Sequence, residues 1–157
     1  MRGQAATCID LALLFASCLE FVGIYPVLFL IEGHAFPGYW RSDKAWWRMK
    51  QFHFDATAMP GAGQATPAMP AAAAMTSGQS EGWMFDGVGN LVELLRYVQE
   101  GSLVPFESTF VAAQRGFYGS LEEGSSRLHP DTFDAMVDIQ SARGANVTPL
   151  PLFDKFE

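Results

Sequence analysis

Between Leu11 and Ile31 the chain carries one charged residue, Glu20. A run this long constrains the fold first, because a membrane-spanning helix needs only about 20 apolar residues. Two residues inside it argue against a single span. Gly23 stands where a finished helix places its left-handed glycine. Pro26 follows, and its ring and missing N–H would break a continuing helix. Beyond it, "VLFLI" is β-branched or large and suits a short buried strand. The run therefore reads as a helix over 8–22, a turn and a strand over 26–31. No membrane span is expected.

Thr7 is the predicted N-cap of that helix. Ile9, Leu13, Ala16 and Leu19 recur at helical spacing. Leu14 and Phe15 widen the apolar face until little polar surface remains, which predicts a buried central helix. An export reading is weaker. "FASC" at 15–18 has the look of a lipoprotein cleavage box behind Arg2, but Asp10 leaves an apolar stretch of only 11–16, too short for a signal sequence. Cys8 and Cys18 would lie about 15 Å apart along one helix, too far for a disulfide. Two thiols fit a reducing, cytoplasmic setting.

After the first strand, Glu32-Gly33 reads as a turn. A second, antiparallel strand follows over 34–40, with an irregularity expected at Pro37-Gly38. "DKAWWRMKQF" is ambiguous. At 59–82 composition shifts to Ala, Gly, Pro, Met and Ser with almost no charge, which predicts a flexible insertion. Asn90 can cap a helix over 91–100, with Gly101 behind it. "LVPFESTF" reads as a strand carrying Glu107, and a Gly/Ser/Glu-rich loop follows. Pro130 can open a last helix over 130–143, ended by Gly144. The remainder is an extended, proline-containing tail.

A length of 157 residues predicts one domain over 1–157. The hydrophobic fraction of 49% indicates a globular chain. Net charge is −7 and the ten basic residues form no run, so no nucleic-acid surface is evident. No zinc spacing, phosphate loop or Ser-His-Asp order is present, and no metal or organic cofactor is implied.

Three residues carry potential chemistry: Cys8, His34 and Glu107. A cysteine at a helix N-terminus meets unpaired N–H groups and the positive end of the helix dipole, which favour a thiolate. A histidine can take the thiol proton and return one to a leaving group. A carboxylate behind it fixes the imidazole tautomer. Each residue has a plainer reading. Cys8 alone could be a small buried hydrophobe, and His34 a turn histidine. Glu107, inside an apolar segment, needs a partner, and His34 is the best available. Cys18 is expected in the core. Asp10 is expected to face away from Cys8 as a first-turn acid, and Gln4 is a weak candidate oxyanion donor. His53 and His129 lack such context.

In combination, "TCIDLALLFASCLEFVGIYPVLFLIEGHAFPGYW" and "LVPFESTF" resemble the transglutaminase-like cysteine domain. In that pattern a cysteine opens a helix that ends in glycine. A strand, a "GHAW"-like motif and a later acidic segment follow. Cys8 matches the nucleophile, His34 in "GHAF" the histidine, and Glu107 in "PFEST" the acidic residue, where Asp is usual. The variant beside helicase-like modules in large bacterial proteins is the most similar, and "TFDAMVDIQSARGANVTPLP" also fits it. Only seven residues precede Cys8, fewer than such domains carry, which points to a fragment of a larger protein.

The resemblance implies an α+β fold, with a Cys-bearing helix packed on a small antiparallel sheet and peripheral helices. It implies thiol-dependent acyl transfer, most simply hydrolysis of a peptide or isopeptide amide. Cys8 would attack, its N–H would stabilise the oxyanion, His34 would shuttle the proton and Glu107 would orient His34. The substrate would be a protein or peptide. The alternative is a non-catalytic interaction module that partners other domains of a larger nucleic-acid-processing or defence protein.

Overall fold

The computed structural model describes the backbone of residues 3–58 and 82–147, and the side chains of 8–51 and 82–147. The insertion expected at 59–82 lies, except for Gly82, outside the described residues. So do the tail beyond Val147 and the side chains of Gln4, Thr7 and His53.

The apolar run divides at its glycine. Helix α1 spans Gly3–Phe21, and Gly23 takes φ +78° before strand β1, Tyr25–Ile31. Gly33, at φ +68°, then turns the chain into β2, His34–Trp40. These two strands pair antiparallel in one unbroken register, from Tyr25 opposite Trp40 to Ile31 opposite His34. The irregularity expected at Pro37-Gly38 is therefore not in this pairing. It falls instead between Leu30 and Ile31, where β1 pairs with β5, Phe133–Asp138. Gly38 has a packing reason: a Cβ there would lie 2.6 Å from Phe29 Cε2.

The rest of the chain completes a five-stranded sheet. Helix α2 is Asp43–Ala58, β3 is Met84–Asp86, α3 is Gly87–Gln99 and β4 is Leu103–Pro105. Helices α4, Ser108–Ala112, and α5, Phe117–Ser126, precede β5, and α6, Ile139–Gly144, follows it. Strand order is β3-β5-β1-β2-β4, and every neighbouring pair is antiparallel. The molecule is an α+β fold. No described helix is long and apolar enough to cross a membrane.

Strand alternation separates the two faces of the sheet. Val27, Phe29, Ile31, Phe36, Trp40 and Met136 join Met49 of α2 and Leu91 and Leu94 of α3 in the larger core. The opposite face carries Leu28, against Ala12 and Ala16 of α1. That helix is not the buried central element expected. It covers one sheet face and leaves Leu14 and Phe21 exposed, with Phe21 at 92%. Cys18 lies on the exposed side, not in the core.

Three further expectations are corrected. The helix predicted over 130–143 is a strand followed by one short helical turn. Phe133, Ala135 and Met136 are buried, because the strand is covered on both faces. His129 lies in the turn before it, where its carbonyl accepts the N–H groups of Thr132 and Phe133. The Gly/Ser/Glu-rich loop contains α5. Helix α3 begins at Gly87 with Asp86 as N-cap, while Asn90 sits inside its first turn and donates to the Asp86 carbonyl at 2.7 Å.

Candidate active site

Helix α1 runs back over the hairpin that follows it. Its later residue Ala16 and the earlier Ala12 pack on Leu28, while Ile9 and Leu30 line one cavity. Moving toward the helix start thus moves toward the end of β1, where His34 begins β2. Cys8, Ala12 and Phe15 lie on one helical stripe. Phe15 meets Phe106 edge-on, with ring centroids 5.5 Å apart, just before Glu107. Cys8, half-buried, therefore stands on the β2 side of the helix near the hairpin end.

Cys8 is not, however, at a helix N-terminus. The helix begins at Gly3, five residues earlier, so Thr7 is not its cap. In an α-helix with that start, the N–H of residue 8 points to the carbonyl of residue 4. It belongs to the helical ladder and does not supply an oxyanion donor. The dipole effect, concentrated in the first turn, is also weaker at this position.

His34 and Glu107, 73 residues apart in sequence, are brought together. His34 Nε2 lies 2.7 Å from Glu107 Oε2. The imidazole is 14% exposed and the carboxylate fully buried. Glu107 is not on the expected strand but two residues beyond its end, as the N-cap of α4. The strand ends at Pro105, and Phe106 N–H still donates to the Pro37 carbonyl, holding this segment against β2. Oε1 of Glu107 accepts both the Thr109 N–H at 3.0 Å and the Thr109 hydroxyl at 2.7 Å. Its backbone is tied to Ser120: Glu107 N–H donates to the Ser120 carbonyl, and Ser120 Oγ donates to the Glu107 carbonyl.

Burial alone would raise the Glu107 pKa. The hydrogen bonds from the Thr109 hydroxyl, His34 and the Thr109 amide outweigh it and hold the carboxyl below its usual value. An ionised carboxylate can only accept, so the proton in its bond with His34 sits on Nε2. Nδ1 is then the ring nitrogen left for other chemistry. His34 shares its strand face with Phe36, whose ring lies nearly parallel at 6.0 Å between centroids.

Sequence reasoning missed Thr109 and Arg127. The Glu107-x-Thr109 spacing is an N-cap signal that was available but hidden by reading the segment as a strand. Arg127 Nε approaches Glu107 Oε2 to 3.1 Å, and no local pattern announces that contact. Among the described residues no cluster of His, Cys, Asp and Glu could hold a metal ion. Asp10 is exposed, as is His129, which pairs with Asp131.

No family model, curated protein or solved structure matches the chain.

Proposed function

We propose that the chain is a transglutaminase-like domain that performs thiol-dependent acyl transfer, most simply amide hydrolysis of a protein or peptide. The observation that supports this most is the buried His34–Glu107 pair at the end of the sheet toward which α1 carries Cys8. In this reading Glu107 fixes the imidazole with Nδ1 as proton acceptor. Nδ1 takes the Cys8 proton as sulfur attacks the amide carbon. The same proton then passes to the leaving amine, and water releases the acyl group from sulfur. The oxyanion donors must come from groups other than the Cys8 amide.

The test is alkylation of both cysteines by iodoacetamide near neutral pH, located by peptide mass mapping. Cys18, exposed on the far side of α1, is the internal reference. His34→Ala should slow labelling of Cys8 by tenfold or more, an effect of the order expected when a general base is lost, and leave Cys18 unaffected. Equal Cys8 rates in the two proteins would overturn the proposal.

A second reading is an interaction module built on the same fold. It is favoured by the position of Cys8 inside α1, past its first turn, where the helix terminus gives the thiol little support. It predicts Cys8 labelling that is indifferent to His34, with the fold intact.

A further inference from the structure

Arg127 closes α5 as its C-cap and belongs to none of the motifs described above. Its guanidinium faces two carboxylates. Nη2 lies 2.8 Å from Glu123 Oε1, and Nε lies 3.1 Å from Glu107 Oε2. That same oxygen is 2.7 Å from His34 Nε2. One buried oxygen thus faces two nitrogen donors, one permanently cationic and one titratable.

A buried carboxylate needs a cation nearby. If His34 were the sole candidate, the imidazole would tend to stay protonated as the counter-ion. An imidazolium has no lone pair with which to accept a proton. Arg127 cannot release its proton, so it can hold the balance wherever Glu107 is ionised. The geometry suits that division. A structural Arg–carboxylate fork shows two aligned parallel bonds. Here the second nitrogen, Nη2, lies beside Glu123 instead of Glu107. The buried Nε–H makes no aligned hydrogen bond among the described residues, so it is charge that faces Glu107.

We infer that Arg127 is a positioning residue: it balances the buried Glu107 charge, so that the carboxylate can orient His34 without needing the imidazole as its counter-ion. The purpose of this device rests on the acyl-transfer reading, but its measurement does not. Other titratable groups on the surrounding elements are Glu123 beside Arg127, Glu32 exposed in the hairpin turn, the exposed His129–Asp131 pair and the Cys8 thiol on α1.

The experiment follows the His34 imidazole by NMR titration of the whole chain, labelled with nitrogen-15 histidine. In Arg127→Met the His34 midpoint should rise by about one pH unit, because Glu107 then has the imidazole as its nearest cation. Arg127→Lys, which keeps the charge, should recover at least half of that shift. Glu123→Gln, at a partly exposed position, should move the midpoint the other way by about 0.3 units, by releasing the guanidinium toward Glu107. A folded Arg127→Met protein whose midpoint moves by less than about 0.2 units overturns the proposal. If Arg127→Met does not fold, Glu123→Gln decides alone, and an unchanged or raised midpoint overturns it. Cys8 labelling in parallel separates the two readings. A shifted titration with labelling indifferent to His34 removes acyl transfer and leaves the charge balance standing. An unshifted titration with His34-dependent labelling does the reverse.

Discussion

Gly124 of α5 presses its bare Cα against the backbone of Phe106: a Cβ built there would lie 2.7 Å from the Phe106 Cα. Neither partner can yield cheaply, since one is helix and the other leads directly into Glu107. Gly124→Ala should therefore push α5 off the end of β4 and destabilise the fold by about 1–3 kcal/mol, the usual range for overpacking. Gly119, in the same helix, has open space at its Cβ position. Gly119→Ala should be neutral or stabilising by up to about 1 kcal/mol. Urea denaturation of both variants checks the pair. A harmless Gly124→Ala would mean that α5 does not sit against Phe106.

Asp138 is fully buried where β5 gives way to α6. It accepts the Trp46 indole N–H at Oδ2 and the Ser141 N–H at Oδ1, each at 2.8 Å. It thus joins α2 to the end of the sheet and caps α6 at once. Trp46→Phe keeps the ring against Tyr25 but leaves Oδ2 without its donor. That should reduce stability by about 1–3 kcal/mol, the penalty for an unsatisfied buried group. In an Asp138→Asn background, where no buried charge is left unpaired, the same substitution should have a smaller effect. Additive losses in the double-mutant cycle would sink this account.

The fold was legible where a backbone rule acts locally. Gly23, Pro26 and Gly33 mark the ends of α1, β1 and the hairpin, and the pairing of β1 with β2 follows from them. It was illegible where tertiary contacts decide. The segment at 133–138 lies between β1 and β3 and is covered on both faces. It therefore lacks the alternation of a half-exposed strand, and Pro130 invited a helix instead. The start of α1 at Gly3 was missed because Thr7 is a good cap in isolation and the residues before it carry no periodic signal. At the site, a charge inside "LVPFESTF" called for a partner, and His34 lies within hydrogen-bonding distance. The Arg127 contact depends on how α5 packs against β4, through Gly124, which no spacing reveals.

Thr109 supplies both donors to Glu107 Oε1, one from its backbone and one from its hydroxyl. Thr109→Val keeps the shape and the backbone bond and deletes the hydroxyl. Loss of one hydrogen bond to a charged group should lower stability by about 1.5–3 kcal/mol near neutral pH. It should also loosen the carboxylate and broaden the His34 imidazole signals. A Thr109→Ser protein should behave like the unaltered chain. A stable Val variant beside a destabilised Ser variant would show that packing of the methyl group, not the hydroxyl, is what matters.

The Glu107 carboxyl makes stability depend on pH in a defined direction. Burial opposes its ionisation, but the bonds from the Thr109 hydroxyl, His34 and the Thr109 amide prevail, so its folded pKa lies below the unfolded one. The native protein then binds fewer protons than the unfolded chain in the acid range. The stabilisation is complete above the unfolded carboxyl value of about 4.3, and is lost as pH falls through the lower folded value. Glu107→Gln lacks this titration and leaves the partly exposed Arg127 guanidinium beside an amide. Near pH 7 the unaltered chain should be more stable than Glu107→Gln by about 1.5–3 kcal/mol, the scale for hydrogen bonds to a charged group. The gap should narrow steadily once the pH drops below about 4. Urea midpoints for both proteins from neutral pH down to the acid limit of folding would show it. A gap that stayed constant through that range would mean that Glu107 is not the ionised, hydrogen-bonded centre of the site.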